Sequence, residues 1–324
     1  MKNIEITPLD HVQQPPKSLV VRSLLTNAVA HRKVKQYLAA THAKNTQKAY
    51  QKDIEHFLQC GGKIPATPAC VASYLAEHAT TLSIATLNRR IVAIGWAHAV
   101  RGYDSPTKSA LVVATLRGIR RTNGSAQRQA APLVKQDIAK VVQHLTGIKG
   151  MRDKALLLIG FAGAFRRSEL VALQVEDVRF VCEGIIIHLR RSKTDQNGQG
   201  RKIAIPYVRA KHCPVRALKT WLTKSGIQSG ALFRRINRYQ QIMDQGLTAQ
   251  SVSLIIKQRV SATGLEAVRY SGHSLRAGFV TSAAQKGVQS WKIRQQTDHK
   301  SDQMLQRYIR DSRLFTDHTV KKIW

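Results

Sequence analysis

The chain has 324 residues, which is enough for about two domains with separate cores. Its 52 Lys and Arg against 19 Asp and Glu give a formal net charge of +33, spread over both halves. This excess favours a polyanionic partner, above all nucleic acid, over a basic protein with no such partner. The sequence shows no long apolar span or basic amphipathic anchor, and its acidic, weakly apolar start excludes a signal peptide. We therefore expect a cytoplasmic, nucleoid-associated protein.

The four cysteines occur singly, at Cys60, Cys70, Cys182 and Cys213. Without a C-x-x-C pair, ordinary reduced thiols are the default. His56 and His78 could be combined with Cys60 and Cys70 as a zinc set, but the cysteine spacing does not fit a zinc finger. The sequence therefore predicts no metal site.

The first part of the chain has a helical pattern. Residues 1–18 contain three prolines and little apolar periodicity, which predicts a flexible N-terminus. Apolar residues at helical spacing then predict a small all-helical bundle over residues 19–121. Small, polar and basic residues at 122–132 predict a linker.

The second part, residues 133–324, mixes helices with a hairpin. Helices are predicted over 133–145, 153–164, 214–222, 248–260, 273–286 and 302–309. Strand signals near 184–191 and 202–206 flank a Gly- and Asn-rich turn, which predicts a β-hairpin with Lys193 at its tip. The predicted fold class is mainly α with a small antiparallel β-hairpin or sheet.

One stretch, residues 271–310, concentrates the chemistry. It carries His273 and Arg276 in H-S-L-R, then His299, and then Tyr308 nine residues later. Arginine supplies fixed donors for phosphate oxygens, tyrosine can act as a covalent nucleophile, and histidine moves protons at neutral pH. In a strongly basic protein, this set indicates chemistry on a phosphodiester.

This ordered set resembles the catalytic signature of the tyrosine recombinases, the phage integrase family, in its Cre- and Xer-like form. That signature is H-x-x-R, about two dozen residues to a His or Trp, and then the nucleophilic Tyr. A-F-R-R-S-E-L at 164–170 is similar to the family's G-L-R-I-S-E-L, and T-L-N-R-R-I-V-A-I at 86–94 is similar to its core-binding domain. The resemblance implies a two-domain DNA clamp, with a helical core-binding domain and a mixed α/β catalytic domain.

The resemblance also implies how the scissile phosphate is held. Arg166 and Arg276 would clamp its non-bridging oxygens, and His299 would donate to one of them. Glu169 would support the site by balancing Arg166 or orienting a histidine, and a simple i,i+3 ion pair is the alternative reading.

The same match assigns the proton transfers. Tyr308 would attack phosphorus while His273 takes or relays its proton. Lys193 would protonate the departing 5′ oxygen, with Lys202 as the alternative. An apolar C-terminal segment, 311–324, would dock onto a neighbouring subunit or, alternatively, pack on its own domain.

Residues expected to face DNA are spread over both domains. They are Lys44, Thr46, Lys48, Asn88, Arg89, Arg90, Arg117, Arg120, Arg121, Gln250, Ser253 and Lys257. Most would contact phosphates, and Gln250 and Ser253 are candidate base readers. A solvated basic face is the alternative for each.

These features predict a site-specific DNA recombinase that works as a homotetramer on paired double-stranded DNA sites. It would cleave and rejoin strands through a 3′-phosphotyrosyl intermediate and a Holliday junction, without ATP, metal or other cofactor. Two alternatives remain open, namely type IB topoisomerase-like DNA relaxation and a non-catalytic DNA-binding protein. The sequence does not indicate the target site, the direction of reaction or an accessory protein.

Overall fold

The structure, a computed structural model, describes residues 42–124, 129–190, 200–299, 301–303, 305–306, 308 and 320–323. The predictions for residues 1–40, Lys193 and 311–319 lie outside these described residues. The chain divides into two compact units after Arg128, inside the stretch predicted as a linker.

The first unit is helical over its described residues. It contains α1 (Lys44–Gln59), α2 (Pro68–Glu77), α3 (Ile84–Val100), a 3-10 turn (Pro106–Lys108) and α4 (Ala110–Asn123). Thr67, Ser83 and Ser109 cap the last three helices, because each side chain accepts a backbone N–H of the first turn. The core is built from apolar residues at helical spacing, such as the fully buried Phe57 and Leu87.

The second unit is built around a buried helix, α6. Its helices are α5 (Lys135–Gln143), α6 (Gly147–Ala162), α7 (Arg167–Ala172), α8 (Pro214–Ser225), α9 (Ala249–Ser261), α10 (Ser274–Gln285), α11 (Ser290–Thr297) and α12 (Val320–Ile323). The helix α6 begins six residues earlier than predicted. Its first turns bury the ion-paired Arg152 and Asp153, which periodicity alone would place at the surface.

Two small antiparallel sheets complete this unit. Strands β1 (Val178–Val181), β2 (Gly184–Leu189) and β3 (Arg201–Pro206) form one sheet in that order, and β4 (Arg234–Ile236) pairs with β5 (Ile242–Gly246). The predicted hairpin is present as β2 and β3. Strands β1, β4 and β5 were not predicted, because they are short and leave many side chains exposed. The predicted class, mainly helical with small antiparallel sheets, is confirmed.

A close backbone approach fixes the start of α10. The N–H of Leu133 donates to the carbonyl of Ser274 at 2.9 Å. One turn later, a Cβ at Gly278 would lie 1.8 Å from the Leu133 carbonyl oxygen. Only glycine therefore lets this segment lie directly on α10, the helix that presents His273 and Arg276.

We expect Gly278→Ala to destabilise the second unit by about 1–3 kcal/mol, because the new methyl group must push the two segments apart. The measurement is the urea-unfolding midpoint. The matched control is Gly118→Ala in α4, where a Cβ meets no atom within 4 Å. That exposed helical position should gain up to about 1 kcal/mol. Equal midpoints for Gly278→Ala and the wild type would contradict the close packing.

Candidate active site

Arg166 lies at the start of α7. The helix predicted over 153–164 ends at Ala162, and Ala164 then takes a positive φ of 49°. This turn makes Arg166 the N-cap residue of α7. Its Nη1 donates to Oε1 of Glu169 at 2.6 Å, and its backbone N–H donates to Oε2 at 2.9 Å. The buried carboxylate thus fixes both the backbone and the guanidinium of Arg166.

Arg276 is almost fully enclosed in the first turn of α10, with 2% of its surface exposed. Its Nη1 donates to the carbonyl oxygen of Ala164 at 2.9 Å, whereas its Nη2 is buried without a hydrogen-bond partner. Burial, followed by the charge of Arg166, lowers the pKa of Arg276 to about 10. The group stays cationic at neutral pH. A buried donor with no acceptor is costly, and an anion would satisfy it.

Arg201 is a third arginine of this site, and the sequence analysis did not single it out. Its Nη1 donates to the carbonyl of Gln296 at 3.0 Å, while Nε and Nη2 are buried without partners. Burial lowers its pKa, and the nearby carboxylate of Glu169 acts in the opposite direction. Strand alternation was the available signal, because residue 201 shares a face with the buried Ile203 and Ile205.

His273 and Tyr308 meet directly. Nε2 of His273 lies 3.2 Å from Oη of Tyr308. His273 is exposed as a whole residue, but partial burial of its ring, followed by the charges of Arg276 and Arg166, lowers its pKa. The ring is therefore neutral at neutral pH and can accept a proton from the phenol.

His299 is 9% exposed, and one hydrogen bond fixes its tautomer. Its Nδ1 lies 2.7 Å from Oγ1 of Thr297, whose hydroxyl donates to the carbonyl of Ile293 at 2.7 Å. Because the hydroxyl has one proton, we assign the ring proton to Nδ1, which leaves Nε2 unprotonated in the neutral ring. Burial, followed by the charge of Arg276, lowers the pKa of His299 to about 4.

The turn before His299 is formed by an aspartate. Asp298, the residue after α11, takes a left-handed conformation with φ 58° and ψ 44°. Among non-glycine residues, Asp and Asn tolerate this region best. Asp298 therefore suits the turn that delivers His299.

Most residues predicted to bind DNA lie at the surface. Lys48, Arg89, Arg117, Arg120, Arg121, Gln250 and Lys257 are exposed, and Thr46, Asn88 and Ser253 are half-buried. The side chain of Lys44 lies outside the described residues. Arg89 is held by Asp53 through two hydrogen bonds of 2.7 and 2.9 Å. DNA contact by these residues stays a prediction.

Two of these residues have protein partners that do not fit the predicted role. Arg90 is 8% exposed, and its Nη1 donates to Oη of Tyr74 at 2.5 Å. It lies on the face of α3 that buries Leu87, which the run of neighbouring arginines concealed. The Ser253 hydroxyl accepts the N–H of Gly272 at 3.2 Å, and so supports the turn before His273.

The protein resembles known recombinases over most of its length. Residues 132–313 match the phage integrase family. An integrase/recombinase XerD homolog of Selenomonas ruminantium is 40% identical over 303 residues, which cover 90% of this chain and 89% of that protein. The recombinase Cre of Escherichia phage P1 is 24% identical over 269 residues, with 76% of this chain and 77% of Cre covered.

Solved structures share the fold. A lambda integrase (75–356) dimer bound to a COC′ core site has a TM-score of 0.61 at 19% identity, covering 86% of this chain and 93% of that chain. XerH bound to a palindromic difH substrate has a TM-score of 0.58 at 19% identity, covering 79% of this chain and 71% of that chain.

Among the residues that our structure describes, no helix is long and apolar enough to cross a membrane.

We expect His299 to make the free protein less stable in acid. Its folded pKa of about 4 lies below the ordinary value of 6.5, so the unfolded chain takes up the proton first as the pH falls. The contribution of the neutral His299 ring to the free energy of unfolding is complete above pH 6.5 and is lost progressively towards pH 4. Between pH 7 and pH 5, the free energy of unfolding should therefore fall less in His299→Asn than in the wild type. The difference between the two proteins should be at most about 2 kcal/mol. Urea unfolding at both pH values measures this.

The control for this prediction is His144→Asn, which changes an exposed histidine. It should keep the pH dependence of the wild type. An unchanged pH dependence in His299→Asn would contradict the assigned burial of the neutral ring.

Proposed function

Because the chain belongs to the phage integrase family and is a site-specific tyrosine recombinase, we propose that it cleaves and rejoins DNA through Tyr308. The observation that carries this assignment is the distance of 3.2 Å between the phenol of Tyr308 and the neutral ring of His273. The positive charges of Arg276 and Arg166 lower the pKa of this same histidine. A nucleophile, a proton acceptor and two cations are thus grouped together.

In the first step, Oη of Tyr308 attacks phosphorus and the bond to the 5′ oxygen breaks. The phenolic proton passes to Nε2 of His273. The product is a 3′-phosphotyrosyl bond and a free 5′ hydroxyl. Attack by the 5′ hydroxyl of another strand reverses the chemistry, so the exchange conserves bond energy and needs no ATP.

The negative charge that develops on the phosphoryl oxygens is stabilised by groups that are already in place. The unpartnered Nη2 of Arg276 and the free donors of Arg201 supply hydrogen bonds. Arg166, held by Glu169, supplies a third guanidinium. His299 can donate from Nε2 only as an imidazolium, and an arriving phosphate favours that form because it opposes the neighbouring positive charges.

Lys193 is the proposed general acid for the 5′ oxygen. It lies outside the described residues, in the connection between β2 and β3. The alternative, Lys202, is exposed and pairs across the sheet with His188. Lys202 is the next residue after Arg201 in β3, so its side chain points to the opposite face of the sheet from Arg201 and the core. This orientation favours Lys193.

DNA binding is proposed to use exposed basic residues of both units. Lys48, Arg117, Arg120, Arg121 and Lys257 would contact phosphates, and Gln250 remains a candidate base reader. We also propose a homotetramer that passes through a Holliday junction on paired sites. Support for subunit docking through α12 is that Ile323 is 72% exposed. The protein would act on DNA in the cytoplasm.

We expect Tyr308→Phe to bind DNA like the wild type and to form no covalent adduct, because the variant lacks the attacking oxygen. The test incubates protein with a supercoiled plasmid carrying DNA that flanks its own gene, and stops with detergent. Adducts are counted, and the attached DNA and peptide are sequenced.

The matched control is Tyr239→Phe, an exposed tyrosine, which should form adducts at the wild-type level. An adduct at Tyr308 together with exchanged strands supports recombination. Relaxation without exchange would instead establish a topoisomerase. Adducts that persist in Tyr308→Phe would refute the assigned nucleophile.

We expect Arg201→Ala to slow adduct formation by about 10²-fold, the usual cost of removing one donor to the developing charge. Single-turnover cleavage of a nicked suicide substrate, at saturating protein, separates this effect from binding. Arg179→Ala, an exposed arginine on the same sheet, is the control and should cleave at the wild-type rate. A wild-type rate for Arg201→Ala would remove Arg201 from the catalytic site.

A further inference from the structure

A second cluster of chemically active side chains lies in the first unit. His56 is in the last turn of α1, Cys60 follows the end of α1, and His78 follows the end of α2. Sγ of Cys60 lies 3.6 Å from Nδ1 of His56 and 3.3 Å from Nε2 of His78. The three ligand atoms all lie within 4.8 Å of one another. The fold therefore brings together two imidazoles and a thiol from two helices.

These distances fit one tetrahedral zinc ion. Zinc binds histidine nitrogen at about 2.0–2.1 Å and cysteine sulfur at about 2.3 Å, so tetrahedral angles separate N and S by about 3.6 Å. We propose that His56, Cys60 and His78 bind one Zn(II) in the first unit, with water in the fourth position. This site is remote in sequence from the catalytic residues and is independent of their chemistry.

The hydrogen bonds of His56 identify which of its ring nitrogens carries the lone pair. Nη1 of Arg90 lies 2.8 Å from Nδ1 of His56, and a guanidinium can only donate. Nδ1 is therefore the unprotonated nitrogen, as metal binding requires. Zinc would displace Nη1 of Arg90 from this position, and it would also replace the contact of 3.1 Å between Nδ1 and the hydroxyl of Tyr74. The carboxylate of Asp53, which lies 3.6 Å from Nε of Arg90, would hold the displaced guanidinium.

The electrostatics of the two helices also favour a cation. Cys60 and His78 occupy the C-cap positions of α1 and α2. The C-terminal end of a helix carries a partial negative charge from its unpaired carbonyl groups. Cys60 is exposed, so the metal has an entry path. Loss of the thiol proton would add the negative charge that offsets Arg90.

The ligand set differs from the one that the sequence suggested. Cys70 lies in the first turn of α2, and His78 follows it by eight positions, or about 12 Å along the axis. It cannot share an ion with His78. The cysteine spacing that argued against a zinc finger is thus irrelevant, because only Cys60 takes part.

The test uses the full-length chain without an affinity tag, purified under reducing conditions. Zinc content is measured by mass spectrometry, the metal is removed with chelator, and Co(II) is added as a spectroscopic probe. We expect about one zinc per chain, and a thiolate-to-cobalt charge-transfer band with tetrahedral ligand-field bands. Zinc competition against a chromophoric chelator then gives the affinity.

The variants are Cys60→Ser and His78→Gln, with Cys70→Ser as the matched control. Cys60→Ser should lose the charge-transfer band. Removal of a group that only supports a metal ligand lowers metal affinity by roughly 10–100-fold. Both ligand variants should lose more zinc affinity than this. Cys70→Ser should behave as the wild type. Circular dichroism verifies folding, and either ligand variant suffices if the other fails to fold.

Two outcomes would overturn the proposal. One is a wild-type protein that binds Co(II) without a thiolate band. The other is a Cys60→Ser variant that keeps the zinc affinity of the wild type. The result is separable from the recombinase assignment, because adduct formation at Tyr308 is measured independently of metal content.

Discussion

Buried guanidinium groups with unused donors are the constraint on which the catalytic unit depends. Arg201 and Arg276 each bury at least one unpartnered nitrogen, and Arg166 adds a third charge that Glu169 only partly balances. Folding holds these cations together because α6, α7, α10 and β3 pack into one apolar core. In the proposed function, a phosphate that enters the site would offset the free energy of desolvating them. The donors are thus already in place in the free protein.

The sequence pointed to the proposed catalytic residues because their order along the chain is a recognisable signal. His273 and Arg276 had to share a helix face, and the distance along the chain to His299 and Tyr308 was a usable signal. Arg201 escaped because a strand residue beside a hairpin gives no motif, only alternation with two isoleucines. The turn that places Arg166 at the start of α7 also gave no signal, because the residue with the positive φ is Ala164 and not a glycine.

Tertiary packing set the remaining limits. Arg89 and Arg90 are adjacent and chemically identical, yet one is exposed and the other is buried against Tyr74. Helical phase decides between them, and a run of arginines conceals it. The cluster of His56, Cys60 and His78 likewise depends on how α1 ends beside α2. Ligand spacing along the chain reports such a site only when the ligands are close in sequence.

The hydroxyl of Thr297 has a thermodynamic consequence that extends beyond the catalytic step. It keeps one proton on Nδ1 of His299, so the ring can bind a phosphate oxygen only by taking a second proton from solvent. In the proposed complex, association with a correctly seated phosphodiester would then be linked to net proton uptake, and the enthalpy of binding would vary with the ionisation heat of the buffer. DNA held elsewhere on the basic surface leaves His299 unchanged. Proton stoichiometry therefore distinguishes productive complexes from the nonspecific ones that a protein of this charge must also form.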